Sequence, residues 1–332
     1  MNNQSTNFLT MTASPHIKSP IKTKNIMADV IIALMPALVW AIYIFGFRAL
    51  SITLISVVSC VVFEYLYRKL MKKTNTVSDL SAVVTGILLA YSLPVSVPLW
   101  LPVIGAFFAI VIVKQLYGGI GKNIINPALA ARVFLFIAYP TELTAFTVPG
   151  EHLSPFVVNV SKKAADIAAG ATPLVNLKNG IMPEADITST LIGNIPGTIG
   201  EVSATLLILT GVYLMLRKVI TWHIPVTYIA TIAIITFVFP LGNIPALDSM
   251  LLQLFSGGLM LGAFFMATDY VTSPATNLGR VIYGIGCGLI TVFIRYFGGY
   301  PEGVSFAILI MNLFVWYLDK ATKPKVFGGA KK

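Results

Sequence analysis

The chain has 332 residues, of which 56% are hydrophobic and only 11% are charged, and its mean hydropathy is +0.83. Soluble domains carry about 25% charged residues, so this composition excludes an ordinary water-soluble domain and predicts an integral membrane protein. The formal net charge is +10. Its cations lie mainly at the ends of apolar segments, a pattern that argues against nucleic-acid binding and indicates orientation in a lipid bilayer.

Ten apolar segments are candidate membrane-spanning helices, because a helix needs about 20 mostly apolar residues to cross the bilayer. They cover residues 26–47, 49–67, 80–93, 98–115, 127–139, 200–216, 224–239, 250–268, 281–297 and 304–318. The third and fifth segments are short, which favours broken or half-spanning helices. The predicted fold class is an all-α integral membrane protein with about ten transmembrane helices.

Lysine and arginine positions predict the orientation of these segments. With the N-terminus inside, 17 of the 23 cations fall in inside segments, 4 in outside segments and 2 within spans. Because cytoplasmic loops carry an excess of positive residues, both termini are predicted to be cytoplasmic, in a multi-pass protein of the cytoplasmic membrane. The long interval 141–199 is then extracytoplasmic.

This layout predicts five parts of the chain. They are a cytoplasmic segment 1–25, a first membrane half 26–139, an extracytoplasmic segment 140–199, a second membrane half 200–318 and a basic cytoplasmic tail 319–332. The tetrapeptide Gly-Ala-Phe-Phe occurs at 105–108 and again at 262–265, each time followed by Pro-Ala and Arg-Val. A chance echo is one interpretation. The other is a duplication into two five-helix repeats, in which the odd number of spans would invert the second copy and ligands would bind at broken helices.

The first of three polar clusters lies in the longest hydrophilic interval. It contains Asp166, Gly170, Ala171 and Thr172. Its small residues allow another molecule to approach the backbone closely. The alternative is a surface turn before Pro173, since the residue before proline prefers an extended conformation.

The second cluster is a glycine-rich run that includes Gly119, Asn123 and Asn126. Asn126 is placed to cap a helix that begins at Pro127, and such a helix N-terminus can hold a polar or anionic ligand. A well-capped loop without a ligand is the alternative.

The third cluster includes Thr268 and Asp269, at the end of an apolar segment. It is either a site for a planar ligand or ion, or a solvated boundary. Another acidic residue, Glu64, is expected to pair with Arg68 one helical turn away. Histidine and cysteine spacing indicates no metal site, and no catalytic residue is predicted.

The pattern Asp-x-x-x-Gly-Ala-Thr that ends at Thr172 resembles the flavin-attachment motif of two related membrane families. These are the D subunits of Rnf complexes and the B subunits of sodium-translocating NADH:quinone reductases. The other two clusters and the ten-span layout resemble the same families, so the resemblance covers essentially the whole chain. Ala169 departs from the serine or threonine common before the glycine, but the attachment hydroxyl is retained. The short segment before the first span favours the Rnf D family.

The resemblance implies that Thr172 carries FMN through a phosphoester bond installed by a flavin transferase. Asp166 would orient the transferase, while Gly170 and Ala171 would leave room for it and for the flavin. A second, non-covalent flavin such as riboflavin is expected among the spans. The residues expected near it are Gly119, Asn123, Asn126, Thr268 and Asp269.

The implied function is that of a translocase subunit that is inactive alone. It would relay electrons between ferredoxin-side and NAD-side subunits while Na⁺ or H⁺ crosses the membrane. Its partners would be iron–sulfur and flavin subunits, including the FMN-bearing G subunit. The alternative is a solute or ion transporter without a redox cofactor, which would leave the motif at Thr172 unexplained.

Overall fold

The computed structural model describes residues 22–150, 153–156, 172–183, 186–201, 203–242, 244–300 and 302–324. Within these ranges every regular element is a helix, and one isolated β-bridge joins Pro94 to Thr198. The all-α class is therefore as predicted.

The helices of the described residues are labelled in chain order. They are α1 Thr23–Phe45, α2 Phe47–Leu70, α3 Ser81–Tyr91, α4 Trp100–Gln115, α5 Pro127–Ala138, α6 Pro140–Thr144, α7 Pro173–Lys178, α8 Ile187–Ile192, α9 Ala204–Leu216, α10 His223–Val238, α11 Ala246–Phe255, α12 Leu259–Met266, α13 Asn277–Phe297 and α14 Val304–Ala321. Short 3-10 turns occupy Val77–Asp79 and Ile199–Glu201.

Four helices are long and apolar enough to cross a membrane, namely α1, α2, α13 and α14, and the bent pair α11–α12 could form a fifth span. Five shorter apolar helices fill the other predicted segments: α3, α4, α5, α9 and α10. These features establish a membrane protein with several apolar helices. A full set of ten crossings stays a prediction.

The predicted span 250–268 is not one continuous helix, because α11 and α12 meet at a 60° bend. Ser256 is extended, and Gly257 has φ +72°, a left-handed conformation that glycine adopts without steric cost. The helix therefore stops and restarts, forming a broken span or a re-entrant loop.

Close helix packing depends on small residues, as is usual where membrane helices meet. A Cβ atom on Gly86 of α3 would lie 2.7 Å from the Cα of Val57 in α2. On α13, a Cβ at Gly288 would lie 2.6 Å from the Cβ of Thr231 in α10. Larger residues at these glycines would separate the helices.

The repeated Gly-Ala-Phe-Phe tetrapeptide coincides with π-helical segments. The first copy ends where the segment Phe108–Gln115 begins, and the second copy lies within Gly262–Met266. Such segments are rare and frequently occur at functional sites. The two segments end beside the same cavity. The two-repeat arrangement stays a prediction.

Candidate functional site

A cavity of about 380 Å³ lies at one end of the helix bundle, where α1 and α5 begin and α4 and α12 end. This volume is within the range of small-molecule sites, roughly 300–1,000 Å³. Apolar side chains on its wall include Val30, Val84, Leu88, Phe264 and Phe265. Polar side chains on its wall include Ser81, Thr85, Lys114, Asn123, Asn126, Thr268 and Asp269.

Four of the five residues expected near a second flavin line this one cavity: Asn123, Asn126, Thr268 and Asp269. Gly119 does not line it. A Cβ on Gly119 would overlap the guanidinium of Arg68, so this glycine leaves room for that side chain. The cavity is thus built from two sequence clusters more than a hundred residues apart.

The glycine-rich loop before α5 depends on left-handed backbone conformations. Gly118, Gly119 and Gly121 have φ values of +117°, +95° and +89°, which side-chain-bearing residues rarely adopt. The loop brings Asn123 to the cavity, where its buried Oδ1 has no hydrogen-bond partner among the described residues. Because buried polar atoms are nearly always paired, this oxygen is a candidate acceptor for a ligand.

Asn126 caps α5, as its position before Pro127 predicts. Its Oδ1 accepts hydrogen bonds from the backbone amides of Ala128 at 3.0 Å and Leu129 at 3.3 Å. Its Nδ2 donates to the carbonyl of Met266 at 3.2 Å. The side chain therefore joins the start of α5 to the end of α12, and its contribution to the cavity is to fix the wall.

Thr268 and Asp269 follow the π-helical end of α12. The Thr268 hydroxyl donates to the carbonyl of Phe264 at 2.6 Å, and the Thr272 hydroxyl donates to Asp269 at 3.0 Å. Burial raises the pKa of Asp269, although the bond from Thr272 and the charge of Lys114 partly oppose it. Asp269 therefore holds a proton more readily than an exposed aspartate does.

The expected pairing of Glu64 with Arg68 is wrong, because Glu64 pairs with Lys114. Lys114 Nζ lies 2.7 Å from Glu64 Oε2 and donates to Ser81 Oγ at 2.6 Å, and both charged side chains are almost completely buried. Arg68 instead donates to the carbonyl of Thr74. Lys114 brings a positive charge to the cavity, and local spacing could not identify it because Glu64 lies 50 residues away.

Thr172 lies in a different region, at the N-terminal end of α7. Its side chain is 7% exposed, and its hydroxyl makes no capping hydrogen bond to that helix. Leu174, two residues on, packs against Gly257 at the α11–α12 break. Asp166, Gly170 and Ala171 lie outside the described residues.

Helix α13 shows that this break and the cavity are at opposite ends of the bundle. Arg280, near its start, donates to the carbonyl of Pro274, in the segment that follows the cavity residues. Arg295, near its end, donates to the carbonyls of Gln253 and Ser256 at the break. Fifteen helical residues span about 22 Å at 1.5 Å per residue.

Residues 10–328 match the model of the NQR2, RnfD, RnfE family. The chain belongs to this family. It is 46% identical to the D subunit of the Na(+)-translocating ferredoxin:NAD(+) oxidoreductase complex of Acetobacterium woodii, over 97% of this chain and 96% of the relative. It is 37% identical to the D subunit of the proton-translocating ferredoxin:NAD(+) oxidoreductase complex of Clostridium ljungdahlii, over 97% of each chain. The D subunit of an Escherichia coli ion-translocating oxidoreductase complex is 35% identical over 96% of this chain and 98% of its own.

For this member of the NQR2, RnfD, RnfE family, the geometry provides two separate places for chemistry. One is an apolar cavity with an unpaired amide oxygen, a carboxyl group and a lysine. The other is the region of Thr172, about one helix length away.

Proposed function

We propose that the chain is the flavin-carrying D subunit of an ion-translocating ferredoxin:NAD oxidoreductase complex in the cytoplasmic membrane. The main support for this proposal is the similarity to the D subunits of such complexes over the whole length of the chain. The Asp-x-x-x-Gly-Ala-Thr pattern that ends at Thr172 supports it further. The chain works with iron–sulfur and flavin subunits, including the FMN-bearing G subunit. Electron passage between the ferredoxin side and the NAD side is coupled to transport of Na⁺ or H⁺.

Thr172 is the proposed attachment site of FMN, on the extracytoplasmic side. Its hydroxyl is not used to cap α7, so a phosphoester bond would cost the helix no existing contact. The side chain is only 7% exposed. The flavin transferase must therefore act before this packing forms, or must displace it. The motif residues Asp166, Gly170 and Ala171 serve that recognition step.

The cavity at the other end is the proposed site of a second, non-covalent flavin. The residues present fit such a group: Phe264 and Phe265 give it an apolar wall, and the unpaired Oδ1 of Asn123 can accept a ring N–H. Lys114 and Asp269 place opposite charges on the wall. The bound flavins would supply the electron-carrying chemistry, and the protein would supply position and electrostatics.

Covalent flavin on Thr172 is tested by co-expressing the chain with a flavin transferase and mapping its peptides by mass spectrometry. We expect an FMN-sized adduct on the peptide with Thr172, its loss in Thr172→Ala, and its retention in the control Thr188→Ala. Thr188 is an exposed threonine at the start of α8. An unmodified Thr172 peptide in the wild-type chain would refute the proposal.

The second flavin is tested by measuring the flavin that denaturation releases from the purified complex. Asn123→Leu removes the unpaired oxygen and adds bulk to the cavity, so we expect released flavin per complex to fall. The control Asn179→Leu alters an exposed asparagine at the C-terminal end of α7. Equal release from the wild type and Asn123→Leu would argue against this site.

A solute or ion transporter without a redox cofactor is the second candidate. The broken α11–α12 pair favours it, since discontinuous helices often form transporter binding sites. That function predicts substrate flux through the isolated chain in liposomes without flavin. Flux of that kind, together with an unmodified Thr172, would favour the transporter.

A further inference from the structure

A second group of charged side chains, one buried and two partly buried, lies at the α11–α12 break, far from the cavity. Glu201 ends the 3-10 turn before α9, Glu302 directly precedes α14, and Arg132 belongs to α5. The guanidinium of Arg132 contacts the carboxylate of Glu302. The carboxyl of Glu201 lies against that of Glu302.

The Glu201 side chain is 6% exposed. Its Oε2 accepts a hydrogen bond from the backbone amide of Thr198 at 3.2 Å. Its Oε1 is buried and has no hydrogen-bond partner among the residues that the structure describes. Leaving a buried acceptor unpaired is costly, and more so when it is charged, so this oxygen requires an explanation.

Gly197 makes room for the carboxyl group, and Gly258 lies beside it. A Cβ on Gly197 would lie 2.6 Å from Glu201 Oε2. A Cβ on Gly258 would lie 3.7 Å from both Glu201 Oε1 and Arg132 Nη1. The free oxygen is therefore directed into the helix break, toward the Arg132–Glu302 pair.

We propose that Glu201 and Glu302 form a proton-binding pair, in which Glu201 is a carboxylic acid that keeps its proton and donates a hydrogen bond to the carboxylate of Glu302. Two adjacent buried carboxyl groups do not readily ionise together. With the proton on Glu201 Oε1, the unpaired acceptor becomes a donor, and Glu302 keeps its charge for Arg132. Both oxygens of Glu201 then have a partner.

The surrounding charges assign the proton to Glu201 rather than to Glu302. Burial, followed by the charge of Glu302, raises the pKa of Glu201, while Arg132 opposes this. Burial is the largest single influence on Glu302 and acts to raise its pKa, but Arg132, the hydrogen bond with Glu201 and the charge of Arg295 together hold that pKa below its usual value. These are the charged groups that face the pair from α5, α13 and the segment before α14.

A bound metal cation is a poorer explanation of the free oxygen. A cation on Glu201 Oε1 would lie beside the guanidinium of Arg132, which repels it. The described residues contain no group of three His, Cys, Asp or Glu side chains able to hold a metal ion. A proton needs only the second carboxyl group.

A narrow cleft gives the pair a route for exchange. The residues that line it include Arg132, Phe136, Glu302 and Ser305. Its volume of about 20 Å³ is enough for one water molecule, which needs roughly 10–15 Å³. Glu302 retains 21% side-chain exposure. Protons therefore reach Glu302 first and Glu201 through it, at the end of the bundle opposite the cavity.

Infrared spectroscopy of the full chain in nanodiscs tests the pair, because protonated and ionised carboxyl groups absorb at different frequencies. At neutral pH in KCl we expect Glu201→Gln to remove one carboxylic-acid C=O band. The control Glu142→Gln, on α6, should retain it. Loss of a carboxylate band in Glu201→Gln, with every carboxylic-acid band retained, would overturn the proposal.

Two further measurements cover the other outcomes. If Glu201→Gln does not fold, Asp269→Asn is measured instead, because this change removes the carboxyl group at the cavity whose pKa burial raises. Absence of any carboxylic-acid band in that variant at neutral pH overturns the proposal. Replacing KCl by NaCl should leave the band unchanged, whereas its disappearance would overturn the proposal by showing that Na⁺ displaces the proton. Thr172→Ala should also leave the band unchanged, so this result is independent of the flavins.

Discussion

The buried pair Lys114–Glu64 allows a quantitative prediction about the cavity wall. Lys114 is 2% exposed and Glu64 is fully buried, with 2.7 Å between Nζ and Oε2. Lys114→Met keeps most of the side-chain volume but removes the ammonium group. Glu64 then keeps only the hydroxyl of Thr76 as a hydrogen-bond partner among the described residues, and its buried charge is unpaired.

Breaking a buried ion pair by removing one partner costs about 3–5 kcal/mol. Domains of 150–250 residues lose roughly 2–4 °C in melting temperature per kcal/mol, so Lys114→Met should melt roughly 6–20 °C lower. Because this chain is longer than those domains, the melting-temperature shift should lie near the lower end of this range. The double variant Lys114→Met with Glu64→Gln removes both charges and should recover most of the loss.

The melting temperatures of the wild type, Lys114→Met and the double variant are compared by thermal unfolding of the detergent-purified chain, monitored by circular dichroism. Lys69→Met is the matched control, since Lys69 is an exposed lysine at the end of α2, and it should melt with the wild type. If Lys114→Met melts with the wild type, or if the double variant melts below Lys114→Met, the reasoning about the buried charge is refuted.

Three other changes test the packing and protonation of the bundle by the same melting assay. Gly86→Ala would place a Cβ 2.7 Å from the Val57 backbone and should lower the free energy of unfolding by about 1–3 kcal/mol. In the control Gly299→Ala the new Cβ meets nothing within 4 Å, so stability should be nearly unchanged. Asn126→Ala removes the α5 cap and should cost about 1 kcal/mol or more; wild-type stability would show that the cap does not matter. The pKa of Asp269 is raised in the folded state, so above about pH 4 the folded chain holds more protons than the unfolded chain and stability should fall as pH rises. Asp269→Asn should reduce that fall, and an unchanged pH profile would contradict this.

Helix positions could be predicted because apolar length is a local property of the sequence. The predicted start of α5 at Pro127, with Asn126 as its cap, is confirmed, since capping requires only neighbouring residues. The α11–α12 break was not predicted, although Gly257 and Gly258 lie at its centre. A glycine pair is compatible with a continuous membrane helix, and only the tertiary contacts of Leu174 and Arg295 show why the chain turns there.

The candidate site could be predicted in part from the sequence, because its polar residues interrupt apolar segments. Asn123 and Asp269 stand out in this way, but nothing local shows that they line one cavity. Pairs formed over long sequence distances were missed. Glu64 and Lys114 are 50 residues apart, and Arg132 and Glu302 are 170 apart, so local spacing could not reveal either pair.

The most direct test of the proposed function uses the intact complex in inverted membrane vesicles, with the wild type compared with Thr172→Ala. Ferredoxin-dependent NAD reduction and ion uptake are measured in the same vesicles. A redox relay through a flavin on Thr172 predicts that Thr172→Ala loses both activities while the complex stays assembled. Undiminished NAD reduction and ion uptake in Thr172→Ala would contradict it.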